Sequence, residues 1–182
     1  MPLTISFELS DKDLRYFRER VKEAKAGATR APEAIVAAAR HLLEQTRKIE
    51  LPDFVRVRIE KLEQLSAMLE DVEWKLEGSD RQRVINAMAY FAEVEDVIPD
   101  TIPGLGYLDD AIMVELACQE LQHEIAAYAD FCDYRLELTK GRGKLPALSR
   151  EEWITRKRVQ LQDRMRRRRG RVWGSRLGRP LW

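Results

Sequence analysis

The sequence predicts an all-α protein: a helical bundle of about five helices with a long fifth, followed by a basic C-terminal helix and arm. Three observations carry this. Six segments repeat apolar residues at three- and four-residue spacing, the period of a helix with one buried face. The seven prolines and nine glycines fall between those segments. Only one stretch alternates at period two. Apolar residues make up 45% of the 182 and charged residues 35%, a balance suited to amphipathic helices around a single core.

Leu3, Ile5, Phe7 and Leu9 alternate with polar residues, and residues 1–9 read as an extended arm. Having no second strand to pair with, the arm is expected to pack on the helices or to pair with the same segment of a second subunit. A helical domain spans 10–140. Ser10 with Asp13 caps the first helix, whose face is Leu14, Phe17, Val21 and Ala24, and Gly27 ends it. Pro32 starts the second, with Ile35, Ala39, Leu42 and Ile49 on one side. Pro52 opens the third, with the stripe Val55, Ile59, Leu62, Leu69, Val72 and Leu76, and Gly78 closes it. Ser79 or Asp80 caps the fourth, which carries Val84, Ile85, Met88, Phe91 and Val94. The fifth starts near Tyr107 and runs past Arg135 on an unbroken seam: Tyr107, Ala111, Val114, Cys118, Leu121, Ile125, Tyr128 and Cys132. That seam needs a cover, internal or from a second subunit, so a homo-oligomer is expected. Residues 141–148 form a linker. Ser149 with Glu152 is a capping box for the basic C-terminal helix and tail, 149–182.

The net charge of +1 hides a division. Residues 150–182 hold 12 Lys and Arg against 3 Asp and Glu, leaving 20 basic and 28 acidic residues in the remainder. An acidic body with a basic tail points to a polyanionic partner, nucleic acid or an anionic membrane surface, reached through residues 164–182. The candidate contacts are Arg164, Arg166, Arg167, Arg168, Arg169, Arg171, Arg176 and Arg179, with Trp173 and Trp182 to stack on bases or sit at a lipid interface. The alternative is that the arm serves the acidic body of its own chain or of a partner subunit, since the two charges nearly cancel. No run of eighteen apolar residues is present to cross a membrane, and the N-terminal residues lack a signal-peptide pattern. Cys118 and Cys132 read as buried thiols of a cytoplasmic protein.

Between the fourth and fifth helices, Asp96, Asp100, Asp109 and Asp110 gather around paired prolines and glycines. The pattern Asp-x-Ile-Pro-Asp-x-x-Pro-x-Leu-Gly-x-x-Asp-Asp, from Asp96 to Asp110, resembles the signature of the YkvA-like family, a bacterial domain of unknown function. The resemblance covers residues 80–117 or so. It departs at Glu95, where the family carries proline, and at Glu115, which interrupts an apolar run. It implies a helical fold and no established activity. Read from the residues, the aspartates either cap helices and turns or converge as an all-oxygen site for Mg²⁺, Mn²⁺ or Ca²⁺.

Other constellations are poor. Glu120 and His123 have the Glu-x-x-His spacing of di-iron bundles, but only once in that order, and they lie off the seam, so they are expected to face solvent. There is no zinc spacing, phosphate-binding glycine loop or nucleophile elbow. The leading expectation is a bacterial cytoplasmic binding or scaffold protein without enzymatic activity, its arginine arm on a polyanion or a partner subunit. The alternative is a divalent-metal-dependent enzyme or sensor built on the aspartate loop.

Overall fold

A computed structural model describes residues 8–27, 31–92, 98, 106–140 and 149–177, with the side chains of 24–27 and 172–177 outside that description. Every regular element among these residues is helical: α1 (Asp11–Gly27), α2 (Pro32–Thr46), α3 (Asp53–Ile59), α4 (Lys61–Glu70), α5 (Gly78–Met88) with a 3₁₀ turn over Ala89–Ala92, α6 (Leu108–Glu120), α7 (Gln122–Thr139) and α8 (Arg150–Leu177). Residues 1–7 of the predicted arm, residues 99–105 with the paired prolines, and the 141–148 linker lie outside the described residues.

The starts follow local chemistry. At α1 the Ser10 N–H and hydroxyl donate to the Asp13 carboxylate (2.9 and 2.6 Å), a capping box with Asp in the usual Glu position. At α8 the Ser149 N–H donates to Glu152 (2.8 Å), and the Glu152 N–H donates to the Ser149 hydroxyl (3.3 Å). The helix count exceeds the sequence reading because two predicted helices are each divided by one residue. Glu60 separates α3 from α4 while keeping helical angles. Leu121, at φ −98° and ψ 15°, separates α6 from α7, so the long fifth helix is two. Hydrogen bonds cross this join, Leu121 N–H to Ala117 O and Ile125 N–H to Leu121 O, both 2.9 Å.

Three positions depart from the expected stripes. α2 ends at Thr46, whose hydroxyl donates back to Leu42 O (2.8 Å), leaving Ile49 beyond the helix and exposed. α4 ends at Glu70 because the Asp71 carboxylate takes the Glu73 and Trp74 N–H groups, both at 2.9 Å. This side-chain turn competes with helix continuation; it turns Val72 out to solvent and buries Trp74 in its place. Gly78 does not close the third helix: it opens α5 at φ +56°, a left-handed angle that favours glycine.

One core runs through the molecule. It joins Ile35 and Ala39 of α2, Leu62, Leu65 and Met68 of α4, Val84 and Met88 of α5, Met113 and Val114 of α6, and Phe131 of α7 to Ile154, Leu161 and Met165 of α8. Each such side chain withdrawn from water stabilises the fold by about 1.5–3 kcal/mol before entropy is counted. α3 packs on α6 and α8 on α7, so the seam that raised the expectation of a second subunit is covered by the chain itself. The pairing runs Lys157 to Tyr134, Arg164 to Asp130 and Arg169 to Glu124, which makes α7 and α8 antiparallel.

Candidate functional site

α8 is the element on which the predicted partner contacts concentrate. Its 28 residues give a rod of about 42 Å at 1.5 Å per residue. One face carries Ile154, Leu161 and Met165, all buried, with Arg158 and Gln162 among them. These two polar residues do not disrupt the face, because they reach the 71–74 turn. Arg158 donates to Glu73 O (3.3 Å) and Gln162 to Trp74 O (2.8 Å).

The turn itself is held from α7. Asp71 accepts from the Tyr128 hydroxyl (3.0 Å) and pairs with Arg135 (2.7 Å), while Glu73 pairs with Arg135 (3.1 Å) and Arg150 (2.6 Å). Burial alone would raise the Asp71 carboxyl, but the Trp74 N–H, Arg135 and Tyr128 outweigh it and hold its pKa below the ordinary value. Glu73 is likewise lowered, chiefly by the Arg150 hydrogen bond.

The second half of α8 docks by charge. Arg164 pairs with Asp130. Arg166 Nε donates to Asp80 (2.8 Å), and Arg169 donates to Asp80 (2.8 Å) and to Glu124 (2.9 Å). Arg83 of α5 meets the same Glu124 oxygen from the other side (3.1 Å). The side chain of Asp80 is 3% exposed and that of Glu124 is fully buried. Ionised carboxylates at such depth need cations. Burial opposes the charge on Arg169, yet Asp80 and Glu124 raise its pKa above the ordinary value.

The arginine run is thereby divided. Arg164, Arg166 and Arg169 face carboxylates of the body. Arg167, Arg168 and Arg171 are exposed. At 100° per residue these three fall within roughly 100° of arc that flanks the apolar stripe: Arg168 lies about 20° around the helix from Leu161, and Arg164 falls within the same arc. The side chains of Trp173 and Arg176, and residues Arg179 and Trp182, lie outside the description.

The four aspartates are only partly placed. Asp96 and Asp100 lie outside the described residues. Asp109 and Asp110 stand in the first turn of α6, both buried. One Asp109 oxygen accepts from the Ile98 N–H (3.0 Å) and the Tyr90 hydroxyl (3.3 Å), tying the helix to the chain before it. Tyr107 precedes α6 in the left-handed region, φ 67°. Among the described residues, no three His, Cys, Asp or Glu side chains come together at metal-ligand spacing.

Glu120 faces solvent as expected, but His123 is half-buried with its Nε2 enclosed. Sequence reasoning missed Glu124 and took Asp80 only as a cap. A signal for Glu124 existed. It lies three residues after Leu121 and four before Tyr128, on the buried side of the seam, where a carboxylate demands a cation.

Comparison with family models finds one match, residues 83–116, to a family described as "Protein of unknown function (DUF1232)". The matched segment runs from α5 at Arg83 through the 3₁₀ turn into α6 and includes Asp109 and Asp110. Comparisons with curated proteins and with solved structures find no match.

Proposed function

We propose that the protein is a helical binding module, without enzymatic activity, that presents exposed arginines of α8 to a polyanion. The observation that carries this is the division of the arginine run: three of its members pair with body carboxylates, while Arg167, Arg168 and Arg171 are exposed and stand outside those pairs. Charges carried on a helix attract a polyanion with the backbone already ordered, so only the arginine side chains remain to be fixed on binding. We further read the 96–110 segment as YkvA-like and place the protein in the bacterial cytoplasm. Two free cysteines are compatible with that compartment. No described helix is long and apolar enough to cross a membrane.

The test is retention on heparin at low salt. The intact protein should be retained and elute as salt rises, and Arg167→Gln with Arg168→Gln and Arg171→Gln should remove retention while leaving the circular dichroism spectrum unchanged. Flow-through of the intact protein would sink the reading.

A divalent-metal site at Asp96, Asp100, Asp109 and Asp110 has less support. The buried Asp109 carboxylate already accepts from a backbone N–H and a hydroxyl, the arrangement expected of a structural cap. Stoichiometric Mg or Mn in protein purified without chelator, lost on Asp109→Asn with Asp110→Asn, would reverse this preference.

A further inference from the structure

We infer that the polyanion is duplex nucleic acid, gripped at its phosphates by Arg167, Arg168 and Arg171, while the body's own carboxylates withhold Arg164, Arg166 and Arg169. This rests on the polyanion reading above and names its partner. A helix that binds lipid lays an apolar face into the headgroup boundary. The apolar stripe of α8, Ile154, Leu161 and Met165, is spent on the body. Over 160–171 the exposed residues are polar or charged apart from Gly170, and the nearest exposed apolar side chain, Val159, lies about 80° around the helix from Arg167 and about 120° from Arg171. Single-stranded nucleic acid is held by stacking bases on aromatic rings. Among the described side chains none within ten residues of Arg167 on α8 is aromatic; Trp173, whose side chain lies outside the description, is the nearest in sequence and makes the single-strand arm of the test necessary. A duplex asks for neither: it presents one charge per 1.7 Å of axis or so, and the three exposed arginines span about 6 Å of helix.

The withholding follows from pairing, and at Arg169 from burial as well. Asp80 and Glu124 are almost closed to water; Asp80 meets Arg169 and Arg166, whose own side chain is 50% exposed, Glu124 meets Arg169 and Arg83, and Arg164 meets Asp130 at the surface. Moving Arg169 to a phosphate would strand buried anions, which costs more than a screened surface contact returns. The salt dependence should therefore count three arginines, although six lie between Arg164 and Arg171.

The experiment is anisotropy of a short labelled duplex titrated with the full chain between about 50 and 200 mM salt. Three phosphate contacts give a slope of log K against log salt near −2.7, about a fortyfold loss over that range; six would give about −5.4. Each of Arg167→Gln, Arg168→Gln and Arg171→Gln should flatten the slope by about 0.9. Arg166→Gln, which leaves Arg169 on Asp80, should change neither affinity nor slope, and Asp80→Asn should steepen the slope by releasing Arg166. The wild-type slope stands as a test even if a variant fails to fold. A slope near −5, or equal losses from Arg166→Gln and Arg167→Gln, would overturn the division. Binding to phosphatidylserine vesicles or to a single strand in preference to the duplex would overturn the choice of partner. Heparin retention without duplex binding would also overturn it while leaving the polyanion reading standing, and loss of heparin retention would remove both.

Discussion

Asp109 shows how one buried side chain fixes a junction. Its carboxylate oxygen takes the Ile98 N–H and the Tyr90 hydroxyl. Asp109→Ala removes the acceptor from the Ile98 N–H, and a buried donor that loses its partner costs about 1–3 kcal/mol. Urea denaturation should show a loss of that size; no loss would mean the contact is not maintained in solution. Cys118 makes a second residue-scale prediction. Burial pushes its thiol up to about 11 from the ordinary 9.0. At pH 8 the folded protein then holds roughly a hundredfold less Cys118 thiolate than the unfolded chain, and thiolate is the reactive form. Alkylation at that site should be correspondingly slow until denaturant is added. Because the folded value is the higher one, the associated stability is present below pH 9 and is lost as pH rises through about 11.

At the scale of elements, the 71–76 connection decides how α8 is received. Asp71 and Glu73 both have lowered pKa values, from 3.8 and 4.5. Below those values the unfolded chain binds more protons than the folded one, so stability rises with pH through this window and falls as acid protonates the folded carboxylates. A series of thermal melts from pH 7 to pH 3 should show this loss, and Asp71→Asn should reduce it. Gly78→Ala should cost about 1 kcal/mol through its positive φ alone, since a Cβ there meets nothing. Loss of a larger size would point to a contact outside this account. The connection also marks where sequence reading stopped. Capping boxes at Ser10 and Ser149 were legible because their partners lie three residues away. So was most of the core face of α2 and α5, because one period governs each. Val72 was misplaced and Trp74 missed because Asp71 ends α4 with its own side chain, and the helical period of the stripe gave no sign of that. The Leu121 division was hidden for a related reason: apolar spacing continues through a residue whose backbone alone departs from the helix.

For the whole molecule, the charge division seen in the sequence is largely a relation between α8 and the body. Tail and body could be told apart by composition, but which arginines face inward depended on Asp80 and Glu124, far away in sequence. Their burial is a tertiary property, so the candidate site could be located in the chain and not partitioned. This alters the expected outcome of removing the tail. Truncation before Arg164 strips Asp80 of both arginines that meet it here, and breaking a buried pair costs about 3–5 kcal/mol. The truncated body should melt well below the full chain, and Asp80→Asn in the truncated background should recover part of the difference, the loss of Met165 from the core and of Arg169 from Glu124 remaining. Equal melting temperatures for the full and truncated chains would show that α8 does not stabilise the body.

The same separation has a consequence in time. Asp80 precedes Arg166 and Arg169 by 86 and 89 residues. At a synthesis rate of about 5–20 residues per second, roughly 4–18 seconds pass between making the carboxylate and making its cations. Through that interval the nascent chain cannot bury Asp80 at its final cost, so the α5–α7 face stays provisional until α8 arrives. A released chain ending before Arg166 should be helical in outline but open to protease at that face. Maturation of the fold is thus timed by its C-terminal helix.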